Sequence, residues 1–364
     1  MSLAVWHHRA PLTRLREKLN EGRVTIGFIG GSITDARPRH NWPEPVTAWL
    51  VDAYPEVRFA VENAAIGATG SDLAVLRAKR DLIDRGCDIV FIDYAVNDEG
   101  METDRRMRSR EGLLRKLRAE GQCDIVLVHT YSANMYEAMM NGKQPDTIRE
   151  LEELAEHYDA GSVWMGLYAL EQVKRGLLRW EEWLPDGLHP TARGSYAYGE
   201  SVIAFLKEEL ARSEEAASQA ECPLPEPLHS RHWGNAEAFP LESIAASGPW
   251  TLRRWPYYEW IDRVLETAAV GATLTIEFEG CGIALGFDFG RTSAEFRYRI
   301  DGGEWKDERR ERPDWVGADG WFRLSVLETD LAHGKHRLEL EVTNGNHPGC
   351  SGTNFRLGLA GIIR

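Results

Sequence analysis

The chain has 364 residues, 43% of them hydrophobic, and a formal net charge of −14 at pH 7. That length suits one large domain plus a smaller one, with enough apolar residues for a real core. The acidic balance argues against a general nucleic-acid or anionic-membrane binder, which needs a broad basic field.

The five cysteines, Cys87, Cys123, Cys222, Cys281 and Cys350, are odd in number and show no zinc-site spacing. They read as reduced thiols, and no metal is expected. The N-terminal stretch lacks the apolar core of a signal peptide, and no long apolar run occurs anywhere, so a cytoplasmic protein is expected.

In chain order, the apolar run 24–31 reads as a strand and 44–54 as a helix. A strand and turn over 57–67 precede a helix at 71–86; a strand at 87–98 precedes a helical stretch at 106–120. The charges of that stretch predict a solvated helix face. A strand at 123–132, a helix at 148–160 and a last helix after His189 complete the series. Alternating units with Val/Ile-rich strands predict an α/β fold, a parallel sheet covered by helices on both faces. The segment 206–228 then turns acidic and ends in Pro223, Pro225 and Pro227, which reads as a linker. Beyond it, strands separated by Gly, Asp and Asn turns predict a β-sandwich. The domains are expected at 1–221 and 222–364. The second is rich in tryptophan (Trp233, Trp250, Trp255, Trp260, Trp305, Trp315, Trp321), with core packing expected for most and sugar stacking as the alternative.

The run 24–31 stops in two glycines just before Ser32. In a parallel α/β sheet, function gathers at the carboxyl ends of strands. Ser32 alone also fits a helix N-cap. The glycines do not form a P-loop, because its lysine is missing, and GxSxG fails at Thr34. A serine nucleophile needs a base, an orienter and oxyanion donors. The sequence "LPDGLHPT" offers His189 and Asp186 three residues apart, "NAAIGATGSD" offers Gly67, and "FIDYAVNDEG" offers Asn97.

The blocks "GGSIT", "AAIGATGSD", "AVND" and "DGLHP", in this order, resemble the SGNH or GDSL hydrolase superfamily over roughly residues 22–210. The resemblance implies a flavodoxin-like parallel sheet sandwiched by helices. It implies Ser32 as nucleophile, His189 as base and Asp186 as its orienter, with the Ser32 and Gly67 amides and the Asn97 side chain as the oxyanion hole. It implies no metal or organic cofactor. Two departures stand out: Gly31 where many members have Asp, and Ala95 where the pattern has Gly. The strings "FRYRIDGGEWK" and "LAHGKHRLELEV" resemble jelly-roll domains attached to some carbohydrate esterases of this superfamily.

The polar loop 36–45 offers Arg37 as a hydrogen-bond donor and Trp42 as a stacking surface, which suit a sugar better than a lipid chain. His129 is a further candidate substrate contact, with strand-end packing as the alternative. The expected function is hydrolysis of short acyl esters, acetyl above all, on sugars or oligosaccharides. The alternatives are a lysophospholipase or thioesterase of the same superfamily, and a catalytically idle carbohydrate-binding protein. The expected partner is the ester or acetylated oligosaccharide substrate, with no nucleic acid and no membrane; a homo-oligomer is compatible with the sequence but not specified by it.

Overall fold

Strand β2 (Arg23–Gly30) is apolar on both faces because it lies inside a sheet, and every residue after Arg23 is buried. The computed structural model describes residues 3–212, 224–258, 260–316, 320–346 and 349–364. The chain divides into two units, Met1–Gly234 and Asn235–Arg364. In the first, β2 is joined by β1 (Trp6–His7), β3 (Arg58–Asn63), β4 (Ile89–Asp93), β5 (Asp124–Val128) and β6 (Gly161–Val163), in the order β1-β6-β5-β4-β2-β3. All neighbours are parallel except the edge pair of β1 and β6. Helices α1 (Thr13–Glu21), α2 (Pro43–Ala53), α3 (Ser71–Ala78), α4 (Thr103–Lys116), α5 (Tyr136–Met140), α6 (Asp146–His157), α7 (Met165–Lys174), α8 (Trp180–Trp183) and α9 (Ala192–Ala211) complete the unit. The α/β expectation therefore holds.

The strand order reverses between β2 and β4, because the chain leaves β2 for β3 on one side and returns to β4 on the other. Such a switch point opens a crevice at the strands' carboxyl ends. Gly30 and Asp93 face each other in register there.

Helix α4 corrects the expectation of a solvated face. Arg106, Arg108, Arg110, Glu111 and Lys116 are all buried, each with a polar partner. Arg110 Nε donates to Asp98 Oδ2 at 2.7 Å, and Arg106 makes a two-pronged contact to Glu150, both bonds 2.7 Å. Glu111 accepts from Tyr158 Oη at 2.5 Å and from the Leu228 and His229 backbone amides at 2.7 Å. The charged composition reflects an internal ion network, which sequence periodicity cannot tell from a wet face.

The same helix anchors the chain beyond the linker. Arg115 Nη1 donates to Pro225 O at 2.7 Å, and the Trp233 amide donates to Arg108 O at 3.0 Å. Trp233 is fully buried in the first unit, so it does not belong with the sandwich tryptophans. The expected boundary at 221/222, with Cys222 and Pro223, lies outside the described residues.

The second unit contains two antiparallel sheets. One has the order β15-β12-β17-β10-β9, with β7 also pairing with β17; the other has β14-β13-β16-β11-β8. The strands are β7 (Glu237–Phe239), β8 (Ala245–Ser247), β9 (Thr251–Arg254), β10 (Arg263–Thr267), β11 (Thr273–Gly280), β12 (Gly282–Phe289), β13 (Glu295–Ile300), β14 (Lys306–Glu308), β15 (Trp321–Glu328), β16 (Gly334–Thr343) and β17 (Phe355–Ile363). Alternate residues of β11 and β16 point into an apolar core with Phe287, Phe296 and Phe355. This is the expected β-sandwich. Trp255 and Trp260 are buried in this unit, whereas Trp305 and Trp315 are exposed.

Truncating Arg110 would leave Asp98 buried without its counter-charge. Arg110→Ala is expected to cost about 3–5 kcal/mol of stability. A urea midpoint within experimental scatter of the parent would show that the network is not holding the unit together.

Candidate active site

The nucleophile block folds as a tight turn. The Thr34 and Asp35 amides donate to Gly31 O at 3.1 and 3.0 Å. Asn41 Nδ2 closes the loop from outside, donating to Ser32 O at 2.8 Å and Asp35 O at 3.0 Å. Asn63, at the end of β3, donates to Thr34 O at 2.8 Å. Ser32 therefore sits on a braced turn rather than at a helix N-cap; α2 begins only at Pro43. Beneath it, Thr34 Oγ1 donates to Asp93 Oδ2 at 2.8 Å and accepts from Trp42 Nε1 at 2.9 Å.

The second half of the site comes from the turn before α9. Asp186 divides its work between its two oxygens. Oδ1 accepts the Leu188 and His189 amides at 2.9 and 2.7 Å, which shapes the turn. Oδ2 lies 2.9 Å from His189 Nδ1. Gly187 has φ +78°, the left-handed conformation that makes this short turn possible. Thr191 then caps α9 by accepting from the Arg193 and Gly194 amides. The result is a 2.9 Å contact between His189 Nε2 and Ser32 Oγ. One ring nitrogen of His189 thus faces the carboxylate and the other faces the serine hydroxyl. Partial burial raises the Asp186 carboxyl, but the hydrogen bonds from the His189 ring and from the His189 and Leu188 amides outweigh it and hold it below its ordinary range.

Gly67 and Asn97 reach the same place from β3 and β4. A Cβ on Gly67 would lie 3.5 Å from Ser32 Cβ. The Asn97 amide lies directly over Gly31, where a Cβ would come within 1.9 Å of its Oδ1. A cavity of about 520 Å³ opens here, lined by Ser32, Asp35, Arg37, Pro38, His40, Asn41, His189 and Pro190. Its size suits a small ligand, and most of its lining side chains are polar.

Two expected substrate contacts are not at the cavity. Trp42 is fully buried, edge-on to Phe28 and Phe91, so no indole face is left for a sugar. His129 is also buried, with Nε2 2.8 Å from Glu152 Oε1 and its ring edge-on to Trp164. The strand-end packing alternative is the one realised. Arg37 does line the cavity, but its guanidinium is bound to Asp35. Asn41, Asn63, Thr34 and Asp93 lie in the same short stretches as the candidate residues, but their inward hydrogen bonds depend on partners from other elements.

Asp93 is fully buried, and the loss of hydration pushes its carboxyl from 3.8 up to about 6, against the hydroxyls of Thr130 and Thr34 that donate to it. A folded-state value above the unfolded one means the folded chain holds the proton more tightly. This contribution to stability is fully present below about pH 4 and is lost as pH rises through about 6. Asp93→Asn lacks it, so the variant should gain about 2–3 kcal/mol relative to the parent between about pH 4 and pH 7. Urea midpoints at those two pH values measure this, and a pH-independent difference would contradict it.

Residues 28–197 match the sequence profile of the GDSL-like Lipase/Acylhydrolase family. No curated protein matches the chain. Among solved structures, a two-domain esterase (CEX) active on acetylated mannans is 23% identical, covers 98% of this chain and 96% of its own, and has a TM-score of 0.82. The same esterase co-crystallised with mannopentaose gives a TM-score of 0.80 at 23% identity, over 98% of this chain and 95% of that one. An acetylxylan esterase from Geobacillus stearothermophilus, 21% identical, covers 52% of this chain and 95% of its own, with a TM-score of 0.42. The two-domain likeness shows a shared fold over nearly the whole length. Among the described residues no helix is long and apolar enough to cross a membrane. The profile match runs from the middle of β2 into α9, across all four sequence blocks, and likens the first unit to the GDSL-like Lipase/Acylhydrolase family.

Proposed function

We propose that the protein is a serine esterase that removes acetyl groups from sugars or oligosaccharides. The observation that carries this reading is the relay of 2.9 Å contacts from Ser32 Oγ to His189 Nε2 and from His189 Nδ1 to Asp186 Oδ2, opening on a small cavity. Ser32 Oγ bonds to the ester carbonyl carbon while His189 Nε2 takes its proton. The carbonyl oxygen becomes an oxyanion held by the Ser32 and Gly67 amides and Asn97 Nδ2. Collapse breaks the carbon–oxygen bond to the sugar, whose oxygen receives the proton from Nε2. Water then attacks the acetyl-serine with the same base, releasing acetate and restoring Ser32. Asp186 keeps the imidazole in the tautomer this cycle needs.

The substrate class rests on the cavity and on the whole-length likeness. The cavity is short and open rather than a long channel, which suits a small acyl group better than a long acyl chain. The two-domain relative acts on acetylated mannans, which makes acetylated manno-oligosaccharides the first substrates to try. An intracellular setting stays within the proposal, because Cys87, Cys123 and Cys350 are buried free thiols.

Ser32→Ala is expected to lower kcat by about 10⁴–10⁶ without unfolding the chain, and His189→Ala by nearly as much. The double variant should be little worse than either, because the two groups share one step. Fully multiplicative losses would break the relay reading. On model esters, turnover should be fastest for acetyl and fall steeply beyond about four acyl carbons. Equal or faster cleavage of eight-carbon esters (about the lipase range) would favour a lipase instead. Failure of a fluorophosphonate probe to label Ser32 would favour an idle binder.

A further inference from the structure

The loop after the nucleophile turn puts a carboxylate where ester hydrolysis can least tolerate a bare one. Asp35 is 2% exposed, and its Oδ2 accepts the Gly67 amide at 3.3 Å. An oxyanion accepting from that same amide at an ordinary distance would stand within about 6 Å of Asp35 Oδ2. Two negative charges at that separation repel, the more so because the Asp35 carboxylate is itself buried. Arg37 surrounds the carboxylate. Its Nε lies 3.1 Å from Oδ1 and 2.9 Å from Oδ2, its Nη2 2.5 Å from Oδ2, and its own amide donates to Oδ1 at 2.9 Å. The guanidinium is half-exposed and stands over Gly67, with Nη2 3.2 Å from where a Cβ would be.

We infer that Asp35 and Arg37 are a pair of positioning residues for the oxyanion hole: the single Gly67 N–H donates to Asp35 Oδ2 before substrate binds, and Arg37 neutralises Asp35 so that this amide can be shared with the oxyanion and the carboxylate's charge does not oppose it. This rests on the esterase reading above and gives Arg37 a task other than reading the sugar. Charge development is confined to the transition state, so the pair acts on kcat rather than on ground-state binding.

The test uses the full chain and 4-nitrophenyl acetate. Arg37→Met leaves a buried, uncompensated carboxylate beside the reacting oxygen. Its kcat should fall about 10–100-fold while KM stays within about threefold. Adding Asp35→Asn removes the charge and should recover kcat at least about fivefold over Arg37→Met alone. Arg37→Lys keeps the charge without the fork and should fall between wild type and Arg37→Met. If Arg37→Met does not fold, Arg37→Lys against Arg37→Gln carries the same charge contrast. A double variant no faster than Arg37→Met, or a loss lying in KM, overturns the inference. Wild type and Ser32→Ala run alongside: an inactive wild type sinks the esterase reading itself, whereas Ser32-dependent activity without the rescue sinks only the pair.

Discussion

A side chain at position 31 would displace the Asn97 amide from its place beside the Ser32 turn, and the arrangement of the site depends on that space. A Cβ on Gly31 would come 1.9 Å from Asn97 Oδ1 and 2.4 Å from Nδ2. A Cβ on Gly30 would come 2.9 Å from Asp93 O. Two successive glycines thus let the end of β2 close against β4 at the switch point, where the crevice forms. That closure brings the loop after β4 beside Ser32. Gly31, a departure from the pattern common in the superfamily, is therefore coupled to Asn97: the missing side chain is the seat of the amide.

The loop bearing Asn97 is held from behind by charge. Asp98, the next residue, accepts the Ser71 amide at the start of α3 with Oδ1 and Arg110 Nε with Oδ2. Arg110 also reaches Tyr94 O at 3.2 Å and Glu150, which Arg106 grips as well. Buried ion pairs add little net stability compared with apolar packing, because desolvation consumes most of the Coulomb gain. Their geometric effect is larger. A planar guanidinium donates in fixed directions, so Arg110 ties the backbone of Tyr94 and the side chain of Asp98 to one rigid plane. The link runs from the charged sequence of α4, through its buried face, to the placement of one amide in the cavity.

Much of the fold was legible because its signals are local. Val/Ile-rich runs buried on both faces mark β2 and β4, alternation marks β11 and β16, and the spacing of Asp186 and His189 encodes a turn whose hydrogen bonds lie within four residues. What was not legible depends on partners far away in sequence. Trp42 looks like a stacking surface until Phe28, Phe91 and Thr34 are found around it. His129 looks available until Glu152 and Trp164 close over it. The arginines of α4 look solvated because pattern reading sees one helix, whereas their carboxylates lie on α6 and in the loop after β4. Trp233 looks like part of the sandwich because the prolines before it suggest that the first unit has ended; its burial against Gly112 and Arg108 is purely tertiary.

On the proposed mechanism an oxyanion forms in a protein of net charge −14, so the partners of the carboxylates near the strand ends matter. Three aspartates cluster near Ser32, and each has different partners. Asp98 is matched by a buried guanidinium, Arg110. Asp35 is matched by a half-exposed one, Arg37. Asp93 has no cation bonded to it in the described hydrogen bonds; two threonine hydroxyls donate to it, and burial draws its titration up to about 6. The fourth, Asp186, is treated in the opposite way. It is half-exposed, and its hydrogen bonds keep it ionised, so its charge is available to an imidazolium. On the proposed mechanism one residue type thus takes two electrostatic roles within a single site: Asp35 and Asp98 are matched by guanidinium groups, whereas Asp186 is left to face the imidazole that would gain a proton. That difference follows from where each aspartate sits: Asp93 at the end of β4, Asp35 and Asp98 in the loops after β2 and β4, and Asp186 in the turn before α9.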